Sequence, residues 1–343
     1  MRMVLMLVAL LVGGDVAAGK WKRLASLPDK EGFAGAFAGV GGGALIVAGG
    51  ANFPDAKPWE GGPKVWYDDV FVLERSDGAW RKAGKLPRPL GYGVSATHRG
   101  GVVCVGGGDA SRNYTDAFRL DWIESRLLTI PLPALPKPRA NSSGAMVGDV
   151  LYIVGGQEAP NAKTTSAAAW TLDLSSSAPR WREIAPCPGG GRMLAVAAGF
   201  GGAFWLAGGV DLVVGDDEKI ERRYLNDAYR HDPRDGWRRI ADLPNPLAAG
   251  PTPAPTDATG FFILGGDDGS QVGAAPDAHR GFSKKILHYD STSNQWTEAG
   301  AVAAPRVTVP CVIWNKARVV PSGEARPGVR SPEVWAATPE PKE

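Results

Sequence analysis

An apolar run that ends in a Gly-Gly pair occurs five times along this chain, at nearly regular intervals. The runs LIVAGG, VVCVGG, LYIVGG, FWLAGG and FFILGG end at Gly50, Gly107, Gly156, Gly209 and Gly266. The intervals are 57, 49, 53 and 57 residues, and another 57 residues lead to Gly323 in RVVPSG, a degenerate sixth copy. A period of about 50 residues is typical of repeat architectures. The chain is therefore predicted to contain six copies of one small unit.

Two further patterns recur in phase with the Gly-Gly pairs. A strand that opens with tryptophan and leads into a proline turn occurs as WKRLASLP, WRKAGKLP, WREIAPCP, WRRIADLP and WTEAGAVAAP, while LLTIPLPALP fills the slot that lacks its tryptophan. Another strand, which carries an aromatic residue, lies in DDVFVL, TDAFRL, AAWTLDL, NDAYRHD, KILHYD and PEVWAA. Each unit is thus predicted to hold four short strands, of which the second ends in Gly-Gly.

This four-stranded repeat resembles the kelch motif of β-propellers. The resemblance extends from Trp21 to Trp335 and implies an all-β fold, a six-bladed kelch-type propeller, with residues 19–343 as a single propeller domain. The glycine pair allows a tight turn at the end of the second strand, and aromatic side chains fill the space between blades. Radial closure then removes the exposed sheet edges that promote aggregation.

The phase of the repeats predicts how the ring closes. The chain begins with a fourth strand at residues 21–25 and ends on a third strand near residues 334–336. The last blade therefore lacks its outer strand unless the N-terminal strand supplies it. We expect blade 6 to consist of residues 307–337 together with residues 20–26.

The first 18 residues have the pattern of a secretory signal peptide. Met1-Arg2-Met3 is a positive start, residues 4–12 are apolar, and Val16-Ala17-Ala18 offers small residues for cleavage. The apolar run is shorter than the ~20 residues that span a bilayer, and no other segment is long enough, so no stable membrane insertion is expected. Export to the periplasm is the prediction, and an uncleaved anchor or a frayed apolar N-terminus is the alternative.

Composition argues against several other classes of protein. The 38 basic and 36 acidic residues leave a formal net charge of +2, so we expect no nucleic-acid partner. Three scattered cysteines, at positions 104, 187 and 311, do not make a disulfide framework. The four histidines fall in different repeats without the spacing of metal ligands, so no metal site is expected.

The loops between the second and third strands are expected to open on one face of the propeller, which is the default place for a site. These loops are 51–67, 108–113, 157–167, 210–223, 267–283 and 324–331. In the last loop, Pro327-Gly328 suits the centre of a type II turn, which would bring Glu324 near Arg330. This pair is either a base with an anion clamp or a salt bridge that only holds a short loop in place.

The segment that contains this pair, GEARPGVRSPEVW, resembles the signature loop of bacterial N-acetylneuraminate epimerases, the sialic acid mutarotases, which are six-bladed kelch propellers. GFAGAFAG from Gly32, VAGGANF from Val47, WEGGPKVWYDDV from Trp59 and YGVS from Tyr92 are also similar to that family. In those epimerases the signature loop lies mid-chain, ahead of the segment that resembles this N-terminus. The chain therefore resembles the cyclically permuted branch of the family.

The resemblance implies an isomerase that interconverts the α and β anomers of N-acetylneuraminate or a related sugar acid by acid–base ring opening. Glu324 would be the base, and Arg330 would bind the substrate carboxylate, because a planar guanidinium can grip a carboxylate bidentately. Such redox-neutral proton transfer implies no cofactor. The alternative is a non-catalytic kelch module that binds a glycan or a protein through the same face.

Other residues of this face are weaker candidates for substrate binding. Asn52, Glu60 and Lys64 match polar positions of the corresponding loop in the family, although a solvated loop would also carry such residues. Arg192, like Arg139 and Arg306, follows a turn between blades, and such a ring of arginines either binds an anionic sugar or is structural. Tyr92 is expected to pack within an inner strand.

Overall fold

The computed structural model describes residues 19–215 and 218–338, which form six antiparallel sheets arranged as a six-bladed β-propeller. Blade 1 consists of the strands Phe37–Gly41, Ala44–Ala48, Asp69–Leu73 and Arg81–Lys85. Blade 2 consists of Val94–His98, Gly101–Val105, Ala117–Ile123 and Arg126–Pro131. Blade 3 consists of Ser143–Val147, Val150–Val154, Ala169–Asp173 and Trp181–Ile184. Blade 4 consists of Val196–Phe200, Ala203–Val214, Ile220–Asp232 and Gly236–Ile240. Blade 5 consists of Gly260–Gly266, Ser283–Asp290 and Gln295–Ala301. Blade 6 consists of Val312–Trp314, Ala317–Pro321, Val334–Thr338 and the N-terminal strand Lys20–Arg23. The predicted signal peptide, residues 1–18, lies outside the described residues.

Three smaller elements decorate one face of the ring. They are the hairpin of Ala51–Asn52 with Val65–Trp66, the 3₁₀ turn Pro58–Glu60, and the hairpin of Glu324–Arg326 with Val329–Arg330. Within the described ranges, no helix is long and apolar enough to cross a membrane.

The N-terminal strand closes the ring, as the phase of the repeats predicted. Trp21 lies opposite Ala337 and Arg23 opposite Trp335 in an antiparallel pairing with the last strand of the chain. The pairing continues past the strand, because the backbone N–H of Leu24 donates to the carbonyl oxygen of Val334 at 2.9 Å. The two ends of the propeller are therefore joined by backbone hydrogen bonds.

Two predictions about individual blades are wrong. Blade 5 has three strands instead of four, and its innermost segment is reduced to one bridge between Thr256 and Phe261. The sequence PTPAPT at residues 251–256 explains this, since proline has no N–H to donate to a ladder. The predicted loop 210–223 is largely strand, because Ala203–Val214 and Ile220–Asp232 pair as a long hairpin over residues 210–214 and 220–223.

The repeated tryptophans connect adjacent blades. The indole N–H of Trp80 donates to the carbonyl oxygen of Ala25, that of Trp237 to Ala185 and that of Trp296 to Ala241, at 2.7 to 2.8 Å. Each acceptor lies four residues after the tryptophan position of the preceding repeat. The same hydrogen bond recurs from blade to blade. Each of these tryptophans therefore contributes both apolar contact area and a directional hydrogen bond to the preceding repeat.

One residue just before the innermost segment of each blade has a left-handed backbone. These six residues, called the floor ring below, have φ between 53° and 67° and are Gly35, Tyr92, Asn141, Leu194, Ala249 and Thr308. The N–H of each donates to the carbonyl oxygen of its counterpart in the preceding blade, and Gly35 donates to Thr308, at 2.7 to 2.9 Å. A closed circle of backbone hydrogen bonds thus surrounds the central channel and holds these side chains at set positions.

Candidate functional site

A pocket of about 500 Å³ lies at the floor ring, on the face that carries the loops after the Gly-Gly pairs. Its lining includes five of the six floor-ring residues, Tyr92 among them, and residues that directly follow the glycine pairs, among them Gln157, Asp267 and Glu324. The volume lies within the range of about 300–1,000 Å³ that is usual for small-molecule sites. Because the lining residues come from every blade, the pocket exists only in the closed propeller.

The loop at the end of the chain places Glu324 and Arg330 side by side in this pocket. The two residues lie opposite each other in a short hairpin, and Gly328 at its turn has a φ of 77°, as the predicted turn requires. A Cβ atom on Gly328 would lie 2.7 Å from the Pro58 ring, so glycine also allows the hairpin to rest on the neighbouring 3₁₀ turn. The predicted proximity of the pair is confirmed.

The Glu324 carboxylate is held by one of its oxygens. Oε1 accepts a hydrogen bond from the Gly328 N–H at 2.7 Å and another from Arg330 Nη1 at 3.0 Å. Within residues 19–215 and 218–338, no group donates to Oε2. The carboxylate is thus fixed in orientation while one oxygen keeps its full capacity to accept a proton.

Two cations share this side of the pocket with that carboxylate. The Arg330 guanidinium is buried and lies 4.7 Å from the centre of the Phe53 ring. Lys64 Nζ lies 5.0 Å from the ring centre of Tyr92 and 5.3 Å from that of Trp66. Among the described residues, no carboxylate lies within ion-pair distance of Lys64. With one carboxylate for two cations, this corner of the pocket attracts an anion.

The other carboxylates of the pocket are already engaged. Asp267 accepts hydrogen bonds from Tyr224 Oη at 2.6 Å and from the Gly269 N–H at 3.0 Å. Burial raises the pKa of Asp109, but hydrogen bonds from Tyr114, Ser111 and Arg112 outweigh it and hold the pKa of this carboxyl well below its ordinary value. Both oxygens of each aspartate accept a hydrogen bond, so neither has an open oxygen like Oε2 of Glu324.

The structure does not bring Asn52 or Glu60 to the pocket. Asn52 is fully buried, donates to Asp29 and the Gly32 carbonyl oxygen, and accepts from Tyr67 Oη. Glu60 is exposed, and its carboxylate accepts from the Lys57 N–H at 2.8 Å, closing the 3₁₀ turn. Both residues shape the loop that carries Lys64, and neither lines the cavity.

Arg192 also lies outside the pocket lining, within the wall between blades. Its side chain is 1 % exposed, and both terminal nitrogens donate to the Asp227 carboxylate at 2.8 to 2.9 Å. Arg139 and Arg306, at equivalent positions, are buried and paired with Glu158 and Glu333. The arginine positions therefore form internal ion pairs, and no ring of free guanidinium groups faces the channel among the residues that the structure describes.

Arg192→Met is expected to lower the free energy of unfolding by about 3 kcal/mol, because it leaves the Asp227 carboxylate, which is only 15 % exposed, without its guanidinium partner and with the Tyr229 hydroxyl as its remaining donor. Arg239→Met is the matched control, since the pair of Arg239 with Asp242 is exposed and screened by solvent, so its loss should change the free energy of unfolding far less. Urea denaturation of both variants measures the difference. An Arg192→Met protein of unchanged stability but weakened ligand binding would contradict the structural assignment.

The loops predicted to form the site supply much of the pocket lining, but sequence reasoning did not assign Tyr92, Asn141 or Tyr224 to it. Tyr92 does not pack within an inner strand; it precedes the strand Val94–His98 and belongs to the floor ring. A signal was present, however. In five of the six repeats the floor-ring residue lies 16 positions before the residue that follows the glycine pair, as Tyr92 does before Gly108. These two repeat positions supply ten of the residues that line the pocket.

Comparison with known proteins supports the resemblance seen in the sequence motifs. Residues 12–130 match a family model described as N-acetylneuraminate epimerase. An N-acetylneuraminate epimerase of Haemophilus influenzae (strain PittEE) is 28% identical over 237 residues, which cover 59% of this chain and 58% of that protein. One of Brucella suis (strain ATCC 23445 / NCTC 10510) is 39% identical over 121 residues, 31% of each chain. The chain is thus similar to these epimerases over part of its length, and it spans less than two thirds of the relatives that it matches.

A solved structure described as "Structure of YjhT" superposes with a TM-score of 0.66, covering 81% of this chain and 87% of that one at 17% identity. At that identity the likeness shows the fold alone, and it confirms the propeller. The family-model match contains Lys64 and Tyr92 but ends before Glu324. The cyclic permutation stays a prediction.

Proposed function

We propose that this protein is a mutarotase, which interconverts the anomers of a carboxylated sugar, with N-acetylneuraminate as the expected substrate. The observation that carries the proposal is the cluster of Glu324, Arg330 and Lys64 in one pocket, where a fixed carboxylate with an open oxygen lies beside two cations. The partial similarity to N-acetylneuraminate epimerases points to the same activity.

The reaction requires a proton to leave the anomeric hydroxyl and another to reach the ring oxygen. Glu324 Oε2 takes the anomeric proton, and the electron pair of that O–H bond forms the carbonyl of the open-chain sugar. The ring C–O bond breaks, and its electron pair passes to the ring oxygen, which is protonated. Rotation next to the carbonyl exposes its other face, and the reverse steps close the ring. Arg330 and Lys64 hold the substrate carboxylate during these steps.

A second part of the pocket suits the N-acyl group of such a sugar. Met193, Leu194, Val210, Ala249 and Phe282, from blades 4 and 5 and the segments before them, all line the cavity and pack into one apolar cluster. A methyl group there would leave water for an apolar surface, which favours binding by roughly 0.8 kcal/mol per buried carbon. The pocket therefore combines an anion site with an apolar patch, as an N-acylated sugar acid requires.

The proposal is tested by following anomer exchange by NMR with and without the protein. We expect faster exchange for N-acetylneuraminate, weaker acceleration for the same acid without its N-acyl group, and none for glucose, which lacks the carboxylate. Binding of the sugar acid with exchange at the rate of buffer alone would overturn the mutarotase and favour the non-catalytic binding module.

We further propose that the protein is exported to the periplasm. The support is the sequence of residues 1–18, with its positive start, apolar run and small residues before Gly19. Cell fractionation followed by N-terminal sequencing should find a periplasmic chain that lacks this segment. A full-length chain in the cytoplasmic fraction would contradict the proposal.

A further inference from the structure

We infer that Tyr92 is the second proton-transfer group of the site, donating a proton to the ring oxygen while Glu324 takes the anomeric proton. The inference rests on the proposed mutarotase activity and adds to it the missing acid. Tyr92 lines the pocket, and its phenol oxygen lies 3.4 Å from Nη2 of Arg330, whose Nη1 binds Glu324. One guanidinium thus lies between a carboxylate and a phenol.

The direction of this hydrogen bond leaves the phenol proton available. Among residues 19–215 and 218–338, three that bear a hydroxyl group line the pocket. Tyr224 donates to Asp267 at 2.6 Å, and Thr308 donates to the carbonyl oxygen of Val307 at 2.7 Å. Both hydroxyl protons are therefore already used in hydrogen bonds within the protein. Tyr92 accepts from Arg330, and among the described residues nothing accepts from it. A phenol that accepts one bond and has no acceptor for its own O–H is ready to donate to a ligand.

The fold also holds the Tyr92 ring in place. Its backbone lies in the floor ring with a φ of 62°, donating to Gly35 at 2.7 Å and accepting from Asn141 at 2.8 Å. A Cβ atom at Gly35 would lie 2.6 Å from the edge of the Tyr92 ring. Gly35 is thus the one floor-ring position without a side chain, and it provides the space that this aromatic ring occupies.

The proton balance closes with these two residues. On opening, the anomeric proton goes to Glu324, and the Tyr92 proton goes to the oxygen that leaves the anomeric carbon. The phenolate that results lies next to Arg330 and Lys64, two cations that stabilise its charge. On closing, the phenolate takes back the proton from the attacking hydroxyl, and Glu324 returns its proton to the carbonyl oxygen. Both residues end as they began, and no other reactant is needed.

The test compares three variants of the whole protein in the NMR exchange experiment with N-acetylneuraminate. Tyr92→Phe keeps the aromatic ring that contacts Lys64 and removes only the hydroxyl. We expect kcat to fall by about 10²–10⁴-fold, as for a lost general acid, with KM changed less than about threefold. Tyr224→Phe is the matched control, a tyrosine of the same pocket whose proton is committed to Asp267, and its kcat should stay within about threefold of wild type. Lys64→Met removes the other proton donor beside Tyr92. Because Lys64 is assigned to binding of the substrate carboxylate, this variant should raise KM far more than it lowers kcat.

Each outcome decides the inference. A Tyr92→Phe protein that melts like wild type and keeps its kcat, or a Lys64→Met protein that loses kcat while Tyr92→Phe does not, overturns the role of Tyr92 and leaves the mutarotase intact. A rise in KM alone in Tyr92→Phe would make the hydroxyl a binding contact and would equally overturn it. If the wild-type protein does not accelerate exchange at all, the proposed function fails, and the inference fails with it.

Discussion

Glu324→Gln is expected to slow protein-catalysed anomer exchange by about 10²–10⁴-fold while binding of the sugar acid largely survives. Glutamine keeps an oxygen that can accept from the Gly328 N–H and from Arg330, so the short hairpin retains its hydrogen bonds. It replaces the open Oε2 by an amide nitrogen, which cannot accept the anomeric proton. Exchange rates from NMR and ligand binding from calorimetry, measured on the same preparation, separate the two effects.

Glu60→Gln is the matched control for that experiment. Glu60 lies in the adjacent loop, is exposed, and does not line the pocket, so its loss should leave exchange within about threefold of wild type. If Glu324 serves only as a salt bridge, Glu324→Gln will instead lower the melting temperature without a selective loss of turnover. That result would remove the base from the mechanism.

A chain that lacks residues up to 28 is expected to aggregate or to lose cooperative unfolding. The deletion removes the outer strand Lys20–Arg23 of blade 6 and exposes the edge of Val334–Thr338 to other chains. It also removes Leu24 and Leu27, which are buried between blades 1 and 6, and the Ala25 carbonyl oxygen that accepts from Trp80. Size-exclusion chromatography and thermal unfolding measure both effects.

A chain that begins at residue 19 is the control, because it retains the whole N-terminal strand and should remain monodisperse with a single sharp transition. If the shorter chain, which begins at residue 29, unfolds at the same temperature and as sharply, closure of the ring by this strand contributes nothing to stability. The mechanism is unaffected by that outcome, so the two predictions test separate parts of the molecule.

The local sequence pattern was sufficient for the architecture. Regular Gly-Gly pairs and tryptophans predicted the number of blades. The phase of the first and last strands predicted that the strand from Trp21 would pair with the last strand near residues 334–336, which the structure confirms. Pro327-Gly328 likewise predicted the turn that places Arg330 against Glu324. These features follow from short-range chemistry, because period, turn type and strand phase are properties of neighbouring residues. The strand extensions at residues 210–214 and 220–223 were missed because the many polar residues of this segment resemble a loop, although the backbone pairing of these extensions is regular.

Only the closed ring determined which side chains share the pocket. Asn52 and Arg192 looked like Lys64 in sequence, as polar residues near a turn, yet the fold uses the first two within the protein and leaves Lys64 at the cavity. Tyr92, Leu194 and Thr308 come from different repeats, and a circle of backbone hydrogen bonds brings them together. A repeat pattern predicts the strands of each blade. Which side chains from the six blades lie together in the pocket depends on how the blades close around the axis. That closure is a property of long-range packing, which no local window of the sequence contains.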